Sequence, residues 1–211
     1  MIATSTRIQP ITRELVVPVA DALARAFHDN PSFIALLDRQ SSEQRLRTLI
    51  QLQRIFVRAT LDRGDASCIL EDGRPVAALL AYPPGAYPWP LAQLTRFAPA
   101  LLAMGLRGVR RGFHLSQVLD TWHIDRPHWY VFVLGVDPSH QGRGLGGALL
   151  ARICELADRA AVESYLETDR HSSVRLYERH GYRVLHHEAL PALQALEMWS
   201  MAREPRPSPA V

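Results

Sequence analysis

Between His128 and Ala160 the chain reads as a strand, a glycine-rich loop and a helix, and this order constrains its fold more than any other stretch. His128–Val136 (HWYVFVLGV) is dominated by β-branched and aromatic residues, as a buried strand should be. Asp137 and Pro138 end it. From Leu145 the apolar residues recur as Leu145, Ala148, Leu149, Ile153, Leu156, Ala157 and Ala160, the spacing of an amphipathic helix laid on a sheet. The segment between them, Gln141-Gly142-Arg143-Gly144-Leu145-Gly146-Gly147, therefore delivers its glycines to a helix N-terminus. There the first amides lack intrahelical acceptors and the dipole is positive, which suits a phosphate or pyrophosphate.

Spacing sorts the phosphate loops that compete for this segment. A Walker A loop needs Gly-Lys-Ser/Thr, but Gly146 is followed by Gly147 and Ala148, so the phosphate-binding lysine and the magnesium-holding hydroxyl are both missing. Gly142, Gly144 and Gly147 do satisfy G-x-G-x-x-G, and Glu167 lies roughly 20 residues on, where a dinucleotide-binding fold places its ribose acid. Against this NAD reading, Asp137-Pro138-Ser139-His140-Gln141 separates strand from glycines, and no series of βα units fills the rest of the chain.

Gly135-Val136-Asp137-Pro138 followed by Gln141-Gly142-Arg143-Gly144-Leu145-Gly146 resembles the acetyl-CoA pyrophosphate loop of the GNAT superfamily of N-acetyltransferases. Tyr165-Leu166-Glu167-Thr168 looks like that family's next strand. Ser173-Val174-Arg175-Leu176-Tyr177-Glu178-Arg179-His180-Gly181-Tyr182 looks like its following helix, tyrosine and turn. With His128-Trp129-Tyr130 and Met198-Trp199-Ser200-Met201-Ala202-Arg203, the set is most similar to the puromycin N-acetyltransferase-like branch, and a weaker echo stands at Ala26-Phe27-His28-Asp29-Asn30-Pro31.

The resemblance implies an α/β fold, a central mixed sheet flanked by helices, and direct acetyl transfer from acetyl-CoA to an amine without a metal. It implies that Leu134, Gly135 and Val136 run beside pantetheine, with the Val136 N–H polarising the thioester oxygen. The amides of Gln141, Gly142, Arg143, Gly144, Leu145, Gly146 and Gly147 would hold the pyrophosphate. Tyr177 would protonate the departing sulfur. Ser173 stands where the branch commonly has asparagine, so a pantetheine contact there passes to a hydroxyl; Ser172 or Ser173 also suits a helix N-cap.

Acetyl transfer needs a neutral amine, a stabilised oxyanion and a proton for the leaving thiolate. Period-two alternation puts Tyr165, Glu167 and Asp169 on one strand face. Glu167 fits a general base acting directly or through water, and equally a structural acid; Asp169 is the weaker candidate. Tyr177 taken alone would read as core packing beside Val174, and the surrounding motif favours the catalytic role. His186-His187-Glu188 reads as structural or solvent-facing, because strand neighbours face opposite ways. His123 and His128 precede the glycine-loop strand and read as satisfied near-core histidines or as the lining of a substrate mouth. Cys154 reads as packing.

The 211 residues, 47% hydrophobic, suit one domain over 1–204 with a helical insertion at about 91–125 and a Pro-rich, disordered tail at 205–211. Helices are expected over 12–30 and 41–63, a hairpin over 66–71 and 75–82 around Asp72-Gly73-Arg74, and strands over 182–188 and 196–203. Tyr82, Tyr87, Trp89, Phe97 and Phe113 are candidates for an apolar acceptor pocket or for core. Two cysteines, Cys68 and Cys154, and residues 1–7 without a basic start or apolar run suggest a reducing cytoplasm. Arg96, Pro99 and Arg107 break the apolar stretch 91–109, so no membrane span is expected. A net charge of +3 gives no nucleic-acid footprint, and Arg107, Arg110 and Arg111 on one helical face read as solvated. The expected partner is a small-molecule amine, and the expected assembly a monomer or homodimer. The rival reading from another class is a non-catalytic acyl-CoA-binding sensor.

Overall fold

The structure, a computed structural model, describes residues 7–88 and 95–206. Strand β1 (Ile8–Pro10) is followed by helices α1 (Val16–Ala26), α2 (Pro31–Leu36) and α3 (Ser42–Arg63), then by the hairpin β2 (Asp65–Glu71) and β3 (Arg74–Tyr82). Helix α4 (Ala98–Trp122) precedes β4 (His128–Val136), α5 (Leu145–Ala160), β5 (Glu163–Thr168), α6 (His171–Arg179), β6 (Arg183–Leu190) and β7 (Leu196–Arg203). The strands form one mixed sheet in the order β1-β2-β3-β4-β5-β7-β6. Every pairing is antiparallel except β4 with β5. The expected α/β mixed sheet is the observed one, and it contains no doubly wound βα series.

Two layers of helix bury the sheet. On one face, Val16, Val19 and Leu23 of α1 and Val57 of α3 pack on Ala78, Leu80 and Val133. On the other, Leu145, Leu149 and Ile153 of α5 and Val174 and Tyr177 of α6 pack on Ala77, Leu79, Val131, Leu166 and Met201. Strand β3 is buried on both faces, which explains its unbroken apolar run Val76–Tyr82. The insertion helix α4 carries Leu115, Leu119 and Trp122 into a third cluster with Leu36, Leu193 and Met198, after a kink at Gly105.

Several expectations need correction. The helix expected over 12–30 is a 3-10 turn (Arg13–Leu15) followed by α1, which ends at Ala26, and a separate α2 begins at Pro31. Asn30 starts the second helix: its side chain accepts from the Phe33 N–H, and Pro31 occupies the first helical turn. Neither Ser172 nor Ser173 caps α6, because the helix begins earlier, with Arg170 at the N-cap. The tail is held at its start, where the Arg206 amide donates to Asp158 at 2.7 Å; residues 207–211 lie outside the described ones. Arg107 and Arg111 are not simply solvated, since both pair with Asp38 at 2.8 Å. A capping box of Ser41 and Gln44 starts α3, within the helix expected over 41–63.

Candidate active site

Strands β4 and β5 stay together only from His128↔Glu163 to Val131↔Leu166. Beyond that point β4 remains on β3 as far as Val136, while Glu167 and Thr168 pair with Ser200 and Trp199 of β7. The sheet therefore opens into a wedge between the two strands. A bulge marks its apex: Leu80 faces Val133 and Ala81 faces Val131, leaving Phe132 as the extra residue. The bulge shifts the side-chain alternation of β4, so that Leu134 and Val136 join the α5 face and Gly135 turns to α1. A Cβ at position 135 would stand 2.6 Å from Leu23 Cδ2 and 3.0 Å from the Phe27 ring, so only glycine lets α1 sit this close.

Backbone polarity follows from the same register. The Asp137 N–H donates to the Val76 carbonyl at 2.8 Å, toward β3. Successive amides of an extended strand point to opposite edges, so the Val136 and Leu134 N–H groups point into the wedge. The Gln141 side chain also reaches back to the Val136 carbonyl at 3.2 Å. At the open end, Gly142 and Gly144 take φ of 76° and 79°, and Gly144 is the N-cap of α5 without any side-chain cap. The first intrahelical bond into Gly144 is donated by Ala148, at 3.0 Å, which leaves the amides of Leu145, Gly146 and Gly147 without helical acceptors. Arg143 is turned aside onto Glu71, with bonds of 2.9 and 2.7 Å, and His140 joins the same carboxylate at 2.8 Å. The Arg143 guanidinium beside Glu71 holds that carboxyl below its ordinary range. Beneath the loop, Asp137 accepts from the Ser139 amide and hydroxyl and from Arg25. Burial pushes its pKa up, but these bonds outweigh burial and hold it low.

The two catalytic candidates lie on opposite faces. Tyr177 is buried in the α5 and α6 cluster, which also contains Val131 and Leu166, the last residues to pair before the wedge. Burial raises its pKa, with the Asp169 carboxylate adding to the shift, so the phenol carries its proton throughout the neutral range. Glu167 lies on the other face with a side chain only 6% exposed. Its carboxylate raises the phenols of Tyr87, Tyr130 and Tyr165, in each case after burial as the first cause. His123, the C-cap of α4, approaches it at 3.6 Å. Asp169 is not part of this group, because it binds the Asn30 side chain at 2.8 Å and the Ser32 amide at 2.7 Å and so ties β5 to the start of α2. Ser173 sits in the first turn of α6 with its amide bonded to Arg170.

Comparison with known sequences decides the family. The model for the acetyltransferase (GNAT) family matches residues 30–182. The chain belongs to the GNAT acetyltransferase family. Among its curated GNAT relatives, the mycothiol acetyltransferase of Propionibacterium freudenreichii subsp. shermanii is 39% identical over 94 residues, covering 42% of this chain and 30% of the relative. That of Clavibacter sepedonicus is 32% identical over 183 residues, covering 75% and 58%. The chain thus spans from under a third to somewhat more than half of these relatives' length. A solved structure described as histone acetyltransferase HPA2 and related acetyltransferase, from Corynebacterium glutamicum, superposes with a TM-score of 0.68 at 21% identity, covering 97% of this chain and 98% of that one, a likeness of fold alone. These relatives carry the mycothiol acetyltransferase name, not that of the puromycin branch.

Within this GNAT frame, other residues resolve as structure. Trp122 stacks on His186 and Trp199 on His187, and Cys154 is buried with its thiol pushed up by burial. Of the aromatic pocket candidates, Tyr82 is fully buried in one cluster with Tyr130 and Tyr165, Phe97 packs on Phe56, Phe113 is 65% exposed, and Trp89 lies outside the described residues. Tyr87 reaches the Glu167 group, where its ring lies 4.8 Å from that of Tyr130. The residue that sequence reasoning underrated is His123. It ends a helix inserted 44 positions before Glu167, and no local motif links the two.

Proposed function

We propose that this protein transfers an acetyl group from acetyl-CoA directly to a primary amine of a small molecule. The observation that carries the reading is the pairing of a wedge whose Val136 and Leu134 amides face inward with the uncapped amides of Leu145, Gly146 and Gly147 at its mouth. These donors fit a pantetheine arm followed by a pyrophosphate. Bound there, acetyl-CoA supplies the activated acyl group. The Val136 N–H is the donor for the developing oxyanion, and a backbone donor in a strand costs little reorganisation.

Tyr177 and Glu167 then divide the proton work. Glu167, on the α1 and α4 face, takes the proton of the incoming ammonium, and Tyr177, on the α5 and α6 face, gives its proton to the departing thiolate and regains one from solvent. A carboxylate set among Tyr87, Tyr130 and Tyr165 suits a cationic acceptor, attracted by charge and by ring faces. The mycothiol acetyltransferase name of the curated relatives supports a small-molecule acceptor. Ser173 is retained as a pantetheine contact through its hydroxyl.

Thermal shift with acetyl-CoA, CoA and NAD at matched concentration tests the reading, since a ligand that binds only the native state stabilises it. Stabilisation by both CoA species and not by NAD is expected, followed by acetyl-CoA-dependent acetylation of tryptamine or agmatine detected by mass spectrometry. CoA binding without turnover on a broad amine panel would replace the enzyme with an acyl-CoA sensor.

A further inference from the structure

The Glu167 carboxylate is nearly sealed, so a proton it takes from an amine needs a way out. The way is built from two histidines that no motif connects. His123 Nδ1 stands 3.6 Å from Glu167 Oε1, and His123 Nε2 lies 3.1 Å from His128 Nε2. His128 Nδ1 lies 2.7 Å from the Arg126 carbonyl, which can only accept, so this nitrogen carries a hydrogen. In neutral His128 the Nε2 atom is then an acceptor for the His123 Nε2–H. That assignment leaves the bare His123 Nδ1 facing Glu167.

The pair is fixed in place from several sides. The His123 ring lies 4.8 Å from Tyr165, 4.9 Å from Tyr130 and 5.6 Å from Tyr87. The Tyr165 hydroxyl donates to the Trp122 carbonyl at 3.2 Å and so anchors the residue before His123 to β5. At the far end the chain meets solvent, where Arg126, 62% exposed, pairs with Glu163. The groups facing the pair are Tyr87 from the loop after β3, Tyr130 of β4, and Glu163, Tyr165 and Glu167 of β5, with Asp120 of α4 acting on Tyr87.

We propose that His123 and His128 form a proton relay from Glu167 to the protein surface, active in each round of amine acetylation. This rests on Glu167 receiving the acceptor's proton. The ammonium N–H bond breaks and an O–H bond forms on Glu167. That proton moves to His123 Nδ1 as the gap shortens to an ordinary hydrogen-bond length of roughly 2.8 Å. The His123 Nε2 proton passes to His128 Nε2, and the His128 Nδ1–H then breaks its bond to the Arg126 carbonyl and gives its proton to water at the surface. Solvent exchange at the partly exposed rings restores both starting tautomers. No electrons change hands.

Two readouts test the relay. In long-range 1H–15N spectra of the full chain labelled at histidine, the His128 midpoint should report both neighbours, moving to lower pH in Glu167→Gln and to higher pH in His123→Asn. No response to either substitution overturns the relay. In the kinetic arm, pH profiles are recorded for acetylation of tryptamine and agmatine. His123→Asn leaves a polar amide beside Glu167 but has no second ring nitrogen to pass a proton onward. Turnover near pH 6.5 should fall roughly 10- to 100-fold, and the deficit should close as pH rises and the amine arrives as free base. His128→Asn should act the same way with a smaller loss. A deficit equal at every pH would make the histidines structural and sink the relay. Absence of turnover in the unaltered protein that still binds CoA would instead sink the Glu167 base, and the relay's catalytic role with it.

Discussion

The mouth of the wedge and the Glu167 pocket meet the same reaction in opposite ways. The mouth is built from main chain within one continuous stretch, Leu134–Gly147, and its chemistry is the polarity of amides that lack partners. The pocket is built from side chains on four separated segments: Tyr87 in the loop after β3, His123 at the end of α4, His128 and Tyr130 on β4, and Tyr165 and Glu167 on β5. A site made of backbone needs glycine in fixed places and so leaves a pattern in sequence. A site assembled across a sheet leaves none.

The most severe way to break this contrast is Gly144→Val. A β-branched residue at φ 79° is strained, and its side chain would enter the open space beside the amides proposed to hold the pyrophosphate. CoA affinity measured by calorimetry should fall at least about 100-fold, roughly 3 kcal/mol, with the pocket untouched. Retained affinity would mean that the amides of this loop do not bind the pyrophosphate.

Glu167→Gln makes the reciprocal cut. With proton acceptance removed, kcat/KM for the amine should drop about 100- to 1,000-fold at neutral pH, while CoA binding stays unchanged. A smaller effect, below about threefold, would demote Glu167 to a structural acid. Tyr177→Phe sharpens the comparison from the opposite face: kcat should fall about 10- to 100-fold without a change in CoA affinity, because the ring keeps its place in the core and only the hydroxyl is lost. If CoA affinity falls as steeply as kcat, the phenol serves binding and not proton transfer.

What was legible follows the same division. The strand, loop and helix over 128–160 and the hairpin at Asp72-Gly73 were readable because hydrophobic period and turn chemistry act over neighbouring residues. The break at Phe27–Asn30 was obscured by apolar periodicity on both sides, although Asn30-Pro31 carried a capping signal that could have found it. The bulge at Phe132 has no local cause in HWYVFVLGV; it appears only when β4 is set against β3. His123 and His128 read in sequence as near-core histidines or the lining of a substrate mouth, and their partnership is illegible there because it depends on where α4 ends in space. Asp169 shared a strand pattern with Glu167, yet the chain turns after Thr168 and takes it to Asn30.

The smallest effect tests whether the pocket couples to protonation of the folded state. Burial, the first cause, together with the neighbouring His123, lowers the His128 pKa below its ordinary 6.5, while the Arg126 carbonyl and the Glu167 and Glu163 carboxylates pull the other way. A depressed pKa means that the unfolded chain binds more protons than the native one in the window below 6.5. Stability is therefore fully present above that pH and falls as pH drops toward the folded value, below which the contribution is constant. The ring is partly exposed, so the loss should be about 0.5 kcal/mol or less. Thermal melts between about pH 7 and 5 should show this slope in the unaltered protein and a flatter one in His128→Asn. An unchanged slope would place His128 in contact with bulk solvent, and the pocket would then be as open to water as the glycine loop.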